Sequence, residues 1–119
     1  MSDHVYWIIE ADIVPGKLDE LKSLMQEMSA ATEADEPGAL NYEWSLSADE
    51  TECHIFERYQ DSDATMVHMG NFGSKFAKQF MSVLKPKRCR LYGAPDERVQ
   101  KAMKPLGAVY LASAAGFSR

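Results

Sequence analysis

The stretch Val5-Tyr6-Trp7-Ile8-Ile9-Glu10-Ala11-Asp12-Ile13-Val14, closed by Pro15-Gly16, decides how the rest of the chain is read. Val5, Trp7, Ile9, Ala11 and Ile13 alternate with Tyr6, Ile8, Glu10 and Asp12, the period of two that marks a strand. Tyr6 and Ile8 make the second face apolar at one end as well, as in a central strand covered on both sides. Beyond Pro15-Gly16, Leu18, Leu21, Leu24, Met25 and Met28 recur at spacings of three and four. That stripe predicts an amphipathic helix from Lys17. Asp19 and Glu20 sit in its first turn, where acids suit the helix dipole. The helix is expected to fray around Thr32–Glu36 before Pro37-Gly38 ends it.

Leu40, Tyr42, Trp44 and Leu46 alternate with Asn41, Glu43 and Ser45, a second strand. The polar run Ser47–Glu52 is a turn, and Cys53–Tyr59 returns as a third strand. Asp61-Ser62-Asp63 offers caps for a helix from about Ala64. That helix is expected to falter at Gly70–Gly73, resume through Phe76, Phe80 and Leu84, and stop at Pro86. Arg88–Tyr92 supplies a fourth strand. The order strand, helix, strand, strand, helix, strand is the split βαβ, ferredoxin-like α+β arrangement, an antiparallel sheet with helices on one face. The chain reads as one domain, residues 1–119. Its core spans 4–93, and the extension 94–119 holds a short helix from about Asp96 to Met103 and an apolar piece, Ala108–Ala112.

A length of 119 residues, 45% hydrophobic and 26% charged, suits a single packed core. The net charge of −5 hides a split: residues 1–63 hold sixteen acids and three bases, net −13, and residues 64–119 hold two acids and ten bases, net +8. The basic half also carries Phe72, Phe76, Phe80, Val83 and Leu84, so it reads as folded onto the acidic half. An acidic total opposes binding to nucleic acid. The start Met1-Ser2-Asp3-His4 lacks a secretory signal, and no apolar run is long enough for a membrane span, which makes the cytoplasm the expectation. In the strand order 4-1-3-2, Cys53 and Cys89 stand two strand spacings apart, roughly 10 Å, so free thiols are expected. His4 and His54 show no metal-ligand spacing. No glycine-rich phosphate loop, nucleophile elbow or dinucleotide fingerprint is present, so no cofactor is implied.

Two helices cover one face of a sheet. Trp7, Trp44, Tyr6, Tyr42, Phe56 and Tyr59 cannot all lie beneath them, because neighbouring strand positions point to opposite sides. The remaining apolar surface calls for a cover, and two copies meeting sheet to sheet about a two-fold axis provide one. A homodimer is the expectation.

Ile13-Val14-Pro15-Gly16-Lys17 before an amphipathic helix, then Glu36-Pro37-Gly38-Ala39-Leu40-Asn41-Tyr42-Glu43-Trp44, resembles the antibiotic biosynthesis monooxygenase family. Phe56-Glu57-Arg58-Tyr59-Gln60-Asp61, with Ala64 and then His68, is similar to that family's third strand and following helix. The resemblance implies a homodimeric α+β barrel with one pocket per subunit between sheet and helices. Several relatives oxidise phenols, quinols or polyketide aromatics with dioxygen and no metal or flavin; others degrade haem or act on signalling sugars. Many members carry a second histidine shortly after the first, where this chain has Asn71-Phe72-Gly73.

His68 is the leading candidate for catalysis. A neutral imidazole with an ordinary pKa near 6.5 can take a phenolic proton and leave an anion able to react with dioxygen. The plainer alternative is a partly buried histidine bonded to backbone. Trp7, Tyr42, Trp44, Phe72 and Phe76 are candidates for binding an aromatic or quinone-like ligand, or are simply core and interface. Asn41, on the strand face opposite Tyr42 and Trp44, is a candidate to orient a ligand carbonyl or else faces solvent. Glu57 shares a face with Ile55 and Tyr59; it can orient an imidazole, but an ion pair with Arg58 or Arg90 is the favoured reading. Lys85, Lys87, Arg88 and Arg90 can draw in a carboxylated substrate, but balance for the acidic half is the favoured reading. Two functions follow: a cofactor-independent oxygenase of an aromatic or quinol, or a dimeric ligand-binding or stress-associated protein without turnover.

Overall fold

The computed structural model describes residues 2–119. β1 (Val5–Ile13) leads through Pro15-Gly16 to α1 (Leu18–Asp35). β2 (Ala39–Leu46) and β3 (Glu52–Tyr59) form a hairpin, followed by α2 (Ser62–Lys75), α3 (Ala77–Val83) and β4 (Leu84–Gly93). The extension adds α4 (Glu97–Met103), a 3-10 turn at Lys104–Leu106 and β5 (Ala108–Tyr110). The sheet order is β2-β3-β1-β4-β5, with β1 antiparallel to both neighbours. This is the α+β, ferredoxin-like arrangement that the periodicities predict.

Three details differ from expectation. The sheet is mixed rather than antiparallel throughout, because β5 pairs with the edge of β4 in parallel. The second helix breaks at Phe76 (φ −126°, ψ −16°), not at Gly70–Gly73. A helical glycine costs about 1 kcal/mol without breaking the helix, whereas the turn at Phe76 brings Phe80 against Phe72 and Trp44, ring centroids 5.2 and 6.2 Å away. Finally, Leu84 and Pro86 belong to β4. Its register shifts opposite Glu10/Ala11, and a proline is tolerated at such a bulge because it has no ladder hydrogen bond to give there.

The core lies between sheet and helices. Trp7, Ile9 and Ala11 of β1, Ile55 of β3 and Leu91 of β4 meet Leu21, Leu24 and Met28 of α1 and Phe80 and Val83 of α3, all buried. Each such Leu, Ile or Phe contributes about 1.5–3 kcal/mol by leaving water. Val99 and Met103 bring α4 onto the same core, also fully buried. Of the six aromatics of β1, β2 and β3, Trp7, Tyr42, Trp44 and Tyr59 face the helices and Tyr6 and Phe56 face away, as the strand registers require. Cys53 and Cys89 are buried free thiols on strands either side of β1.

Candidate active site

Three short pieces of chain meet at His68. Pro37 disfavours helical geometry in the residue before it, so Glu36 leaves α1 at φ −128°, ψ 80° while its N–H still donates to the Thr32 carbonyl. Gly38 then passes so close to α2 that a side-chain carbon there would stand 2.6 Å from Ala64 Cβ. Asp61 caps α2 by accepting the Ala64 N–H at 2.8 Å. From that start Thr65, His68 and Phe72 point inward, and Asn71 lies one turn on from His68. On β3, alternation turns Cys53, Ile55, Glu57 and Tyr59 toward the helices.

His68 Nδ1 stands 2.9 Å from Glu36 Oε1, and His68 Nε2 stands 3.2 Å from Glu57 Oε1; these side chains are only 5–6% exposed. Glu36 Oε2 accepts from Asn71 Nδ2 at 3.2 Å. Glu57 Oε1 also accepts from the Tyr59 hydroxyl at 2.7 Å. Its Oε2 receives no hydrogen bond among the described residues. Tyr42 and Tyr59 pack on the imidazole, ring centroids 5.4 and 5.0 Å away.

The proton inventory follows from these contacts. Burial alone pushes the His68 pKa down, but the hydrogen bonds and charges of Glu36 and Glu57 outweigh it and raise the value to about 9. Burial pushes Glu36 up, and the His68 bond and charge, with Asn71, bring it below the usual carboxylate range. At neutral pH His68 is therefore an imidazolium, with Nδ1–H donating to Glu36 and Nε2 lying beside Glu57. The sequence reading takes the ring as neutral with an ordinary pKa, whereas a charged ring has no lone pair to take a proton. Burial, then the charges of Glu57 and Glu36, holds the Tyr42 phenol far above its ordinary pKa. Burial raises the Cys53 and Cys89 thiols to about 11 and about 12, the latter helped by Glu57, so neither is a thiolate.

Two hollows flank the imidazole, sharing Met28, His68 and Phe72 as walls. The outer one lies beside Glu36, Asn71 and Lys75. The inner one, beneath the sheet, is lined by Trp7, Tyr42, Glu57, Met69, Phe72 and Leu106 among others. Their cavity volumes are about 10 and 20 Å³, roughly one water each. Trp7 Nε1 and Trp44 Nε1 are buried without a hydrogen-bond partner.

Of the candidates named from sequence, His68, Trp7, Tyr42 and Phe72 line the inner hollow. Phe76 lines only the outer one, and Trp44 packs behind both on Tyr42 and Phe80. Asn41 does not reach either: it lies on the far face, donating to Glu43 at 3.0 Å and accepting from Arg58 Nε at 2.7 Å. The favoured ion pair for Glu57 is also corrected. Arg58 and Arg90 pair in register with Tyr6 and Ile8 on the opposite face, and Glu57 instead holds the imidazole. Glu36 and Asn71 were not singled out from sequence. An acid closing a helix C-terminus opposes the dipole, and that mismatch was the available signal for Glu36.

On the far face, strand pairing brings Glu10, Glu52 and His54 together with ligand atoms within 4.8 Å, a grouping that the sequence reading of His54 missed. Lys87 and Arg88 already engage the two carboxylates, at 3.1 and 3.5 Å, as the charge-balance reading of the basic cluster expects. Among the described residues no helix is long and apolar enough to cross a membrane.

A ferredoxin-like sheet with an internal charged trio beside an aromatic hollow defines a small α+β domain built around one buried polar site. Residues 4–78 match the antibiotic biosynthesis monooxygenase family, and the chain belongs to that family. Solved structures share the fold. MupZ from Pseudomonas fluorescens superposes with a TM-score of 0.79 at 23% identity, covering 98% of this chain and 94% of its own. That coverage extends the likeness through α4 and beyond. Rv0793 from Mycobacterium tuberculosis matches at TM-score 0.66 and 27% identity, covering 79% of this chain and 97% of its own. SnoaB from Streptomyces nogalater, a cofactor-independent oxygenase, matches at 0.66 and 18%, covering 80% and 96%. No curated protein sequence matches the chain.

Proposed function

We propose that the protein is a cofactor-independent oxygenase of a small phenolic or quinol-type ligand, with Glu57 as the proton acceptor and His68 as the fixed positive charge beside it. The carrying observation is the Glu57–His68 contact, 3.2 Å long and buried against the aromatic hollow. Glu57 Oε2 takes the hydroxyl proton. The imidazolium and the unpaired Trp7 N–H stabilise the resulting oxyanion, as preorganised donors do where charge develops. The anion then reacts with dioxygen: one oxygen atom bonds to a ring carbon, the other leaves as water, and a quinol becomes a hydroxyquinone. Family membership and the oxygenase activity of SnoaB support this reading.

A ring needs more room than one water, so Met69, Phe72 and Leu106, all half-buried, turn aside to admit it. Leu106 comes from the extension, which gives residues 94–119 a part in shaping the pocket. The second reading is a binding protein without turnover.

The test is oxygen uptake by metal-free protein supplied with a panel of hydroquinones. The expectation is uptake in the wild type and a loss of about 100-fold or more in Glu57→Gln, the usual scale for a general base. Uptake unchanged in Glu57→Gln removes it from the mechanism, and no uptake with any quinol selects the binder.

The same proposal includes a homodimer through the far face of the sheet, where Tyr6, Ile8, Phe56 and Tyr92 sit among charged groups and Tyr6 and Tyr92 stack with centroids 5.5 Å apart. On that face Glu10 of β1 and Glu52 of β3 stand beside Arg88 and Lys87 of β4. Sedimentation of a particle twice the 13.4 kDa chain mass is expected, with Ile8→Arg converting it to monomer. Monomer alone at working concentration refutes the dimer.

A further inference from the structure

Glu57 and His68 place a proton acceptor and a proton donor side by side, and nothing in that pairing requires an oxidant. His68 Nε2–H is 3.2 Å from Glu57 Oε1, and the imidazole is clamped from behind by Glu36 at 2.9 Å. Tyr59 holds the same Glu57 oxygen at 2.7 Å, which leaves Oε2 as the carboxylate's available atom. Trp7, lining the same hollow, brings an indole N–H without a partner.

We infer that this site also catalyses a dioxygen-independent proton transfer, the keto–enol tautomerisation of an aryl ketone whose ring lies among Trp7, Tyr42 and Phe72. Glu57 Oε2 takes the proton from the carbon next to the carbonyl. The C–H bond breaks, its electron pair forms the C=C bond, and the carbonyl oxygen takes the proton of His68 Nε2. The products are an enol, a neutral imidazole and a protonated Glu57. The carboxyl group of Glu57 then turns to bring its proton from Oε2 to the Nε2 lone pair beside it, and the resting site returns with no net gain or loss of protons or electrons. Glu36 is a positioning residue: bonded to Nδ1, it keeps Nε2 directed at Glu57 and the substrate, as the carboxylate behind a catalytic histidine does. Two groups of opposite role held next to each other are the arrangement that acid–base chemistry needs.

This inference shares the role of Glu57 as base with the proposed function but needs no dioxygen, so the two can fail separately. The experiment is deuterium wash-in at the α-carbons of 2-tetralone, in buffered D2O under argon, read by mass spectrometry against a protein-free blank. Wild-type protein is expected to exceed the blank at the same rate under argon and in air. The excess should fall about 100-fold in Glu57→Gln and His68→Gln and recover in part in Glu57→Asp, which restores a carboxylate. Thermal melts establish that each variant is folded, and His68→Gln carries the test should Glu57→Gln not fold. Wash-in no faster than the blank, an excess seen only in air, or an excess equal in folded Glu57→Gln overturns the inference. Oxygen uptake with quinols but no wash-in overturns it while leaving the oxygenase; wash-in without uptake does the reverse.

Discussion

Two histidines, each flanked by two glutamates, occupy opposite faces of the same sheet. His68 lies with Glu36 and Glu57 under the helices, its side chain 6% exposed. His54 lies with Glu52, at 2.6 Å, and Glu10, at 3.8 Å, on the far face, its side chain 44% exposed. The chemical groups are the same, and their surroundings differ. Two unit charges 4 Å apart interact by about 1 kcal/mol in water and about 4 kcal/mol at the effective dielectric of a protein. Water screens the outer trio and offers each member another partner. The inner trio has itself, Asn71, Tyr59 and the nearby charge of Lys75, so its protons are assigned by geometry. The lesson is that burial, more than composition, separates a chemical site from a surface ion-pair cluster.

The largest break in that comparison is Glu57→Leu. It strands half of a buried imidazolium and the Tyr59 hydroxyl, and removal of one partner of a buried pair costs about 3–5 kcal/mol. Urea unfolding should show the midpoint falling accordingly, and a midpoint equal to wild type would mean that the trio is not a buried pair at all. Next comes pH. The folded pKa of His68 is raised, so its contribution to stability is complete below about 6.5 and is lost as pH rises through about 9. Glu36 and Glu57 face its two nitrogens, and Tyr42 and Tyr59 face its ring, their phenols held protonated well above this window. The melting temperature should drop between about pH 7 and 10 in wild type, and the drop should be missing in His68→Gln. Glu36 works on the acid side: its pKa is lowered, so its stabilisation is present at neutral pH and is lost as pH falls below the ordinary carboxylate value. A smaller effect is expected of Asn71→Ala, which removes one hydrogen bond to a charged acceptor and should cost about 1.5–3 kcal/mol in urea unfolding. The smallest belongs to the outer trio. His54→Ala should leave the urea midpoint unchanged, since exposed ion pairs contribute little; a large loss there would erase the contrast between the faces.

Much of the fold was legible in the chain. The alternation of Val5, Trp7, Ile9, Ala11 and Ile13 and the stripe from Leu18 to Met28 each carry a single period, and one period admits one element. The errors came where two signals competed. Gly70 and Gly73 advertise a break, yet the packing of Phe80 on Phe72 and Trp44 placed it at Phe76. Pro86 advertises a stop, yet a bulge accommodates it inside β4. The site was half legible. His68, Trp7, Tyr42 and Phe72 were named and line one hollow. Glu57 holds the imidazole rather than an arginine, because Arg58, next to it in sequence, and Arg90 of β4 both lie on the other face of the sheet. Asn41 lies outside the hollow because it alternates with Tyr42 and Trp44, and Arg58 holds it there.

The sequence alone determined the order of strands and helices and which residues of each strand share a face, because those follow from local periodicity and steric rules that act within a few residues. Only the tertiary structure decided that Glu36, Glu57 and His68 become neighbours and that the imidazole is charged. Glu36 and His68 are 32 residues apart and meet where the end of α1 crosses α2. The protonation of a buried group depends on which charges surround it once water has been removed.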